Sequence, residues 1–206
     1  MSEQAKRHNT GNKKVVILNA PPNSGKDVGV EYLVEKFKSM GRPSHHQEFK
    51  QGLFKATKAA YGVSDREWES MYTRENKERK TSRLVISNKP VSPREALINM
   101  SERVMKPLFG KEVFGIMAAE ALGEGLNFFS DGGFNEEVLA LKREVGESNI
   151  LLLRISREGC SFQGDSRSYI DPHKYSFRDV SNNESLEDYY TKLEVCVREW
   201  LEKVDG

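Results

Sequence analysis

Cysteine, histidine, long apolar runs and an excess of either charge are all scarce in this chain of 206 residues, and each scarcity closes a route. Cys160 and Cys196 stand far apart, with no Cys-x-x-Cys or Cys/His ligand spacing. That excludes a zinc-thiolate site and a disulfide framework, and fits reduced thiols. His45-His46 and His173 match no metal spacing either, so structural roles are expected for all three. No apolar run approaches the ~20 residues of a membrane span, and the polar stretch from Met1 to Lys14 has no signal-peptide core. A cytoplasmic location without a membrane partner is the expectation. Lys plus Arg number 32 against 31 Asp plus Glu, a formal net charge of +1. No uniform field is there to hold a polyanion, which argues against nucleic acid as a partner.

What is present is a set of separated apolar blocks, and 206 residues make one domain with a real core. Residues 1–13 lack periodicity and read as a flexible tail, leaving 14–206 as a single domain. Val15-Val16-Ile17-Leu18 has the pattern of a strand buried on both faces in a parallel sheet. Val30, Leu33, Val34 and Phe37 then recur at helical spacing, and Gly41 ends that helix. His45 to Phe49 reads as a weak strand. A long helical region is expected from about Gln51 through Met71 to Arg83, with a capping signal at Ser64-Asp65-Arg66-Glu67. Ser92, Pro93 and Glu95 make a capping box for a helix running to about Leu108. Leu126 to Asp131 and Ile150 to Ile155 are strands around a helix from Asn135 to Val145, and Tyr175 to Val180 is a fifth strand. The last helix opens near Ser185 and buries Leu186, Tyr189, Tyr190, Leu193, Val197, Trp200 and Leu201. Strands alternating with helices predict a three-layer α/β fold on a five-stranded parallel sheet. A helical insert (50–115) and a polar loop (157–168) interrupt it.

Ala20-Pro21-Pro22-Asn23-Ser24-Gly25-Lys26-Asp27 approximates the phosphate loop G-x-x-x-x-G-K-[ST], with Ala20 for the first glycine and Asp27 for the hydroxyl residue. Its place between a buried strand and an amphipathic helix points the loop N–H groups and a helix N-terminus at one anion, with Lys26 adding charge. Asp27 can hold Mg²⁺ directly or through water. Asp131, ending a strand, suits an acidic position near Mg²⁺; otherwise it is a turn residue beside Gly132-Gly133. Arg94 lies in the first turn of the capped helix, where it either meets an anion or bonds locally at the surface. Lys77, Arg79, Lys80 and Arg83 share a charged run with Glu75 and Glu78, and a solvated face is the simpler reading. Arg157 and Arg167 flank a glycine-containing loop that could carry arginines onto transferring phosphates. Trp68, Tyr72 and Phe54 are expected to pack together rather than stack a base.

Ser24-Gly25-Lys26-Asp27, Phe49-Lys50 with Leu53-Phe54-Lys55, Ser92-Pro93-Arg94-Glu95-Ala96-Leu97, and Ser130-Asp131 with Phe134 and Glu136 together resemble the bacteriophage deoxynucleoside monophosphate kinases. Gly164-Asp165-Ser166-Arg167-Ser168-Tyr169 is similar to a segment of a phage subgroup. The resemblance implies a P-loop nucleoside monophosphate kinase fold with a helical acceptor-binding insert and a lid. It implies transfer from ATP to a deoxynucleoside monophosphate with Mg²⁺, in an infected host's cytoplasm if the chain is phage-encoded. Pro22 to Val28 would line the ATP phosphates, and Asp27 and Asp131 would organise Mg²⁺. Arg94, with Phe49, Lys50 or Lys55 and Lys77 or Arg79, would hold the acceptor, while Arg157 and Arg167 would close over the transferring group. Larger family members often place an arginine after the strand-end Asp, where this chain has Gly132-Gly133. Two alternatives stay open: a phage kinase acting on a hydroxymethylated base in DNA, and a nucleotide-binding regulatory protein without catalysis. A homodimer is compatible with each.

Overall fold

The computed structural model describes residues 13–165 and 167–206. The expected tail lies outside these, except for Lys13, which opens the first strand. Five parallel strands form the central sheet: β1 (Lys13–Asn19), β2 (Ser44–Gln47), β5 (Gly125–Phe129), β6 (Ile150–Ser156) and β7 (Ser176–Ser181), in the order β2-β5-β1-β6-β7. β1 is central, with Val16 in register with Phe128 on one side and Leu151 on the other. Its continuous apolar run follows from burial on both faces. Val16 and Leu18 enter a core with Phe37, Tyr189, Leu193 and Trp200, contributed by α1 (Lys26–Ser39) and α8 (Leu186–Asp205). Val15 and Ile17 enter the opposite core with Ala118, Val138 and Leu141, from α6 (Val113–Glu120) and α7 (Asn135–Val145). Three layers result. Leu186, expected inside, is the first residue of α8 and is 54% exposed.

The insert leaves the sheet after β2 and differs from expectation. It contains α2 (Lys50–Tyr61), α3 (Asp65–Met71), a hairpin of β3 (Thr81–Ile86) and β4 (Lys89–Val91), α4 (Pro93–Asn99), a π-helical stretch over Met100–Met105, and α5 (Lys106–Phe109). The charged stretch up to Arg83 is therefore not a helix. Thr81, Leu84, Val85 and Ile86 suit a strand, and Ser87 and Asn88 take φ of 48° and 61°, as a two-residue type I′ turn requires. Both expected capping boxes form, at Ser64 and at Ser92. Val63, Trp68, Leu84, Ala96 and Leu97 give the insert its own small core, on which Phe54 and Tyr72 pack. The three aromatics contact one another, with Phe54 edge-on to Tyr72 at 4.9 Å between centroids.

Strand order reverses at β1: the chain passes to β2 and β5 on one side, then to β6 and β7 on the other. The crevice beyond the carboxyl ends of such strands is where α/β sheets bind ligands. The phosphate-type loop, Asp131 and the 157–168 loop all leave the sheet at that edge.

Candidate active site

The loop from Ala20 to Gly25 joins β1 to α1 in a shape held by outside donors to three of its backbone carbonyls. Asn182 Nδ2 donates to the Ser24 carbonyl at 3.0 Å, and the Tyr189 hydroxyl donates to the Gly25 carbonyl at 3.1 Å. Burial pushes the Tyr189 phenol up, so it remains a donor. Gly25 has φ 90°, and a Cβ there would sit 2.5 Å from Asn182 Nδ2, so backbone conformation and space both require glycine. The third contact is from Arg157, whose guanidinium donates to the Asn23 carbonyl at 3.2 Å.

Lys26 is the first residue of α1, 7% exposed, and its ammonium donates to the Pro21 carbonyl at 2.8 Å. Burial lowers its pKa and the Arg167 charge acts in the same sense, against the carboxylates of Asp27, Asp165 and Asp131. Ser24 Oγ is fully buried without a partner. Asn23, Asp27 and Val28 are exposed on the open side of the loop, and Pro22 is half-buried.

Asn19 ends β1 and clamps two neighbouring segments to it. Its amide donates to the carbonyls of Gly132 at 3.0 Å and Ser168 at 3.1 Å, and its oxygen accepts from the Ile170 N–H at 2.8 Å. Arg167 is thereby held over the crevice, forked onto Asp165 through Nε at 3.0 Å and a terminal nitrogen at 2.6 Å. This fork holds the Asp165 carboxyl below the usual range, burial opposing it and Arg94 adding to it. The Arg167 stem crosses Gly133: a Cβ on Gly133 would lie 2.6 Å from Arg167 Cβ.

Asp131 directs both carboxylate oxygens at the start of α2, accepting from the Phe49 N–H at 2.9 Å and the Lys50 N–H at 3.0 Å. Burial pushes its carboxyl up, with Lys50 and the two N–H groups pulling the other way. Lys50 pairs with Glu48 at 2.8 Å. Burial pulls the Lys50 ammonium down, but Asp131 and Glu48 together outweigh it, so its pKa is raised. Arg94 is exposed, pairs with Glu78 at 3.3 Å, and lends its charge to Tyr72 within the insert and to Asp165 outside it.

Other expected acceptor residues lie apart. Phe49 is 2% exposed and stacks on Phe129 at 4.5 Å, so it belongs to the core and not to a ligand surface. Lys55 is exposed on α2, Lys77 is half-buried, and Arg79 borders a 170 Å³ pocket inside the insert with Ser70, Asn76 and Lys80. Among the described residues no hydrogen bond draws any of these three side chains to the loop.

Two further residues carry no sequence signal. Arg74, between α3 and β3, donates to Asn23 Oδ1 at 3.3 Å, so the insert touches the phosphate loop. Glu137, in the first turn of α7, is 8% exposed with Oε2 unpartnered. Burial, with Asp131 adding to it, pushes its carboxyl well above the usual range against Lys106 and Arg167.

No group of three His, Cys, Asp or Glu among the described residues could by itself hold a metal ion. Mg²⁺ needs only one or two carboxylates beside substrate phosphates. Exposed Asp27 fits that requirement without competing hydrogen bonds among the described residues, whereas each Asp131 oxygen already accepts one N–H.

A lysine-bearing loop between a buried strand and a helix, at the reversal point of a parallel sheet, is the arrangement of phosphate-binding α/β domains. No protein-family model and no curated protein matches the chain. Among solved structures it is similar to a gluconokinase from Sinorhizobium meliloti, at 10% identity over 94% of this chain and 96% of that one, TM-score 0.45. It is similar to a Janibacter sugar kinase at 10% identity, 90% and 95% coverage, TM-score 0.44. A Borrelia burgdorferi structure described as a plasmid partition protein bound to AMPPNP aligns at 12% identity over 93% and 100%, TM-score 0.43. No helix among the described residues is long and apolar enough to cross a membrane.

Proposed function

We propose that the protein is an ATP-dependent deoxynucleoside monophosphate kinase, converting ATP and a dNMP to ADP and a dNDP. The observation that carries this reading is the convergence on one crevice of buried Lys26 with arginines from both flanking segments, Arg157 and Arg167 from the loop and Arg74 from the insert. A phosphate acceptor is already anionic, so positioning and charge neutralisation suffice without a general base. Lys26 exchanges the Pro21 carbonyl for the ATP phosphates, which the loop N–H groups also meet. Asp27, beside the phosphates, would hold Mg²⁺, which when bound would supply further charge neutralisation. Lys50 and Arg94 stand on the insert side, suited to the acceptor phosphate. Arg167 exchanges Asp165 for the transferring phosphoryl group.

ATP consumption measured with each free dNMP, and in parallel with hydroxymethylated duplex DNA, tests this reading. Turnover with a free dNMP is expected, and Lys26→Ala should reduce it at least ~100-fold in a folded protein. Turnover only with the duplex would move the acceptor to DNA, and ATP binding without turnover would leave a regulatory protein.

A further inference from the structure

We infer that Asp131 is a positioning residue: from the end of β5 it fixes the first turn of α2, and so the acceptor side of the crevice, instead of ligating the metal ion. The acceptor part of this inference rests on the kinase reading above.

Helix α2 begins badly by its own means. The residue before it, Phe49, has helical angles (φ −60°, ψ −36°), no local side chain caps it, and its first turn holds no acidic residue. Its first residue is Lys50, a cation at the positive end of a helix dipole. Two of its free N–H groups and this electrostatic conflict are resolved together by a carboxylate 81 and 82 residues away in sequence, through bonds of 2.9 and 3.0 Å. A bidentate grip of this kind fixes direction as well as position. The helix it aims is 12 residues long, about 18 Å, and carries Leu53 and Phe54 onto the insert core, with the Lys50 ammonium over the Phe54 ring. The stack of Phe49 on Phe129 anchors the same point to β5.

The same geometry is unfavourable for metal ligation. Each Asp131 oxygen already serves one N–H, and although a second lone pair remains on each, an ion drawing on that oxygen at ~2.1 Å would pull electron density from the bond that holds the helix. Asp27 has no such commitment among the described residues.

Hydrogen exchange at the Phe49 and Lys50 amides of the wild-type protein reads the helix contact without any substitution, and the Mg²⁺ half-saturation of Asp131→Asn reads metal ligation. Both are expected to stay protected when Mg²⁺ and a non-hydrolysable ATP analogue are added; loss of that protection would show Asp131 leaving α2 for the ion and would overturn the proposal. In Asp131→Asn one oxygen becomes an NH₂ that cannot accept. Exchange at these amides should rise about tenfold or more, the equivalent of one lost hydrogen bond. By calorimetry, dNMP affinity should fall by a similar factor, while the ATP analogue and its Mg²⁺ half-saturation change less than about twofold. Unchanged exchange, or a shifted Mg²⁺ requirement with dNMP affinity intact, refutes the proposal. If no dNMP binds even the wild type, the kinase reading falls, and the wild-type exchange together with the Mg²⁺ half-saturation for the ATP analogue still decides the role of Asp131.

Discussion

At the scale of the residue, the pair Gly133 and Arg167 carries the most specific prediction. A methyl group at Gly133 would meet the Arg167 stem at 2.6 to 2.9 Å, so the arginine must leave its place. Gly133→Ala should therefore lower turnover to about the level of Arg167→Ala, and the double variant should be no worse than either. Additive losses in that cycle would separate the two residues. Glu137 makes a stability prediction with a definite sign. Its carboxyl is raised in the folded state, so the native protein keeps a proton that the unfolded chain releases. Stability from this group is complete below the ordinary carboxylate range and falls as pH rises toward the raised value. Glu137→Gln should thus raise Tm near pH 8 and change it little near pH 4. A difference that grows toward acid would mean that the buried carboxyl is ionised and paired.

At the scale of the element, local chemistry decided what was legible. The capping boxes at Ser64 and Ser92 lie within four residues of sequence and form as expected. So do β1 and β6, whose unbroken apolar runs need no knowledge of their neighbours. The β3–β4 hairpin was hidden because its turn, Ser87-Asn88, lacks glycine and its approach is charged, which mimics a solvated helix face. Asp131 was legible as an important strand-end carboxylate, yet the N–H groups it serves lie beyond the reach of any local pattern. Arg74 and Glu137 were invisible for the same reason: their significance is a contact, not a spacing. Because the Ser92 box starts α4 beside Arg94, Ser92→Ala should cost about 1 kcal/mol by denaturant titration. A change near zero would mean that packing of Pro93, Ala96 and Leu97 alone starts the helix.

At the scale of the whole molecule, the crevice is bounded by two segments tied to the sheet in different ways. The insert is gripped at its base by Asp131 and reaches the phosphate loop through Arg74. The 157–168 loop is gripped at its far end, where Asn19 holds Ser168 and Ile170, while Arg157 touches Asn23. Asp165, Ser168 and Ile170 are thus tied down, and Gly159 and Gly164, at φ 75° and 77°, lie before these ties. Arg157 and Arg167 repel each other when brought together unless an anion lies between them, and on the proposed reading a pair of bound nucleotides would supply that anion. Residues 157–165 should gain hydrogen-exchange protection when ATP and dNMP analogues bind together, and gain less with either alone. The Ile170 amide, held by Asn19 at 2.8 Å, should be protected already in the free protein. Closure over the doubly occupied site would exclude water, which otherwise competes with the dNMP for the phosphoryl group. Equal protection of 157–165 in the free and doubly bound states would remove the lid role from this loop, and an Ile170 amide that exchanges as fast as its exposed neighbours would remove the Asn19 clamp.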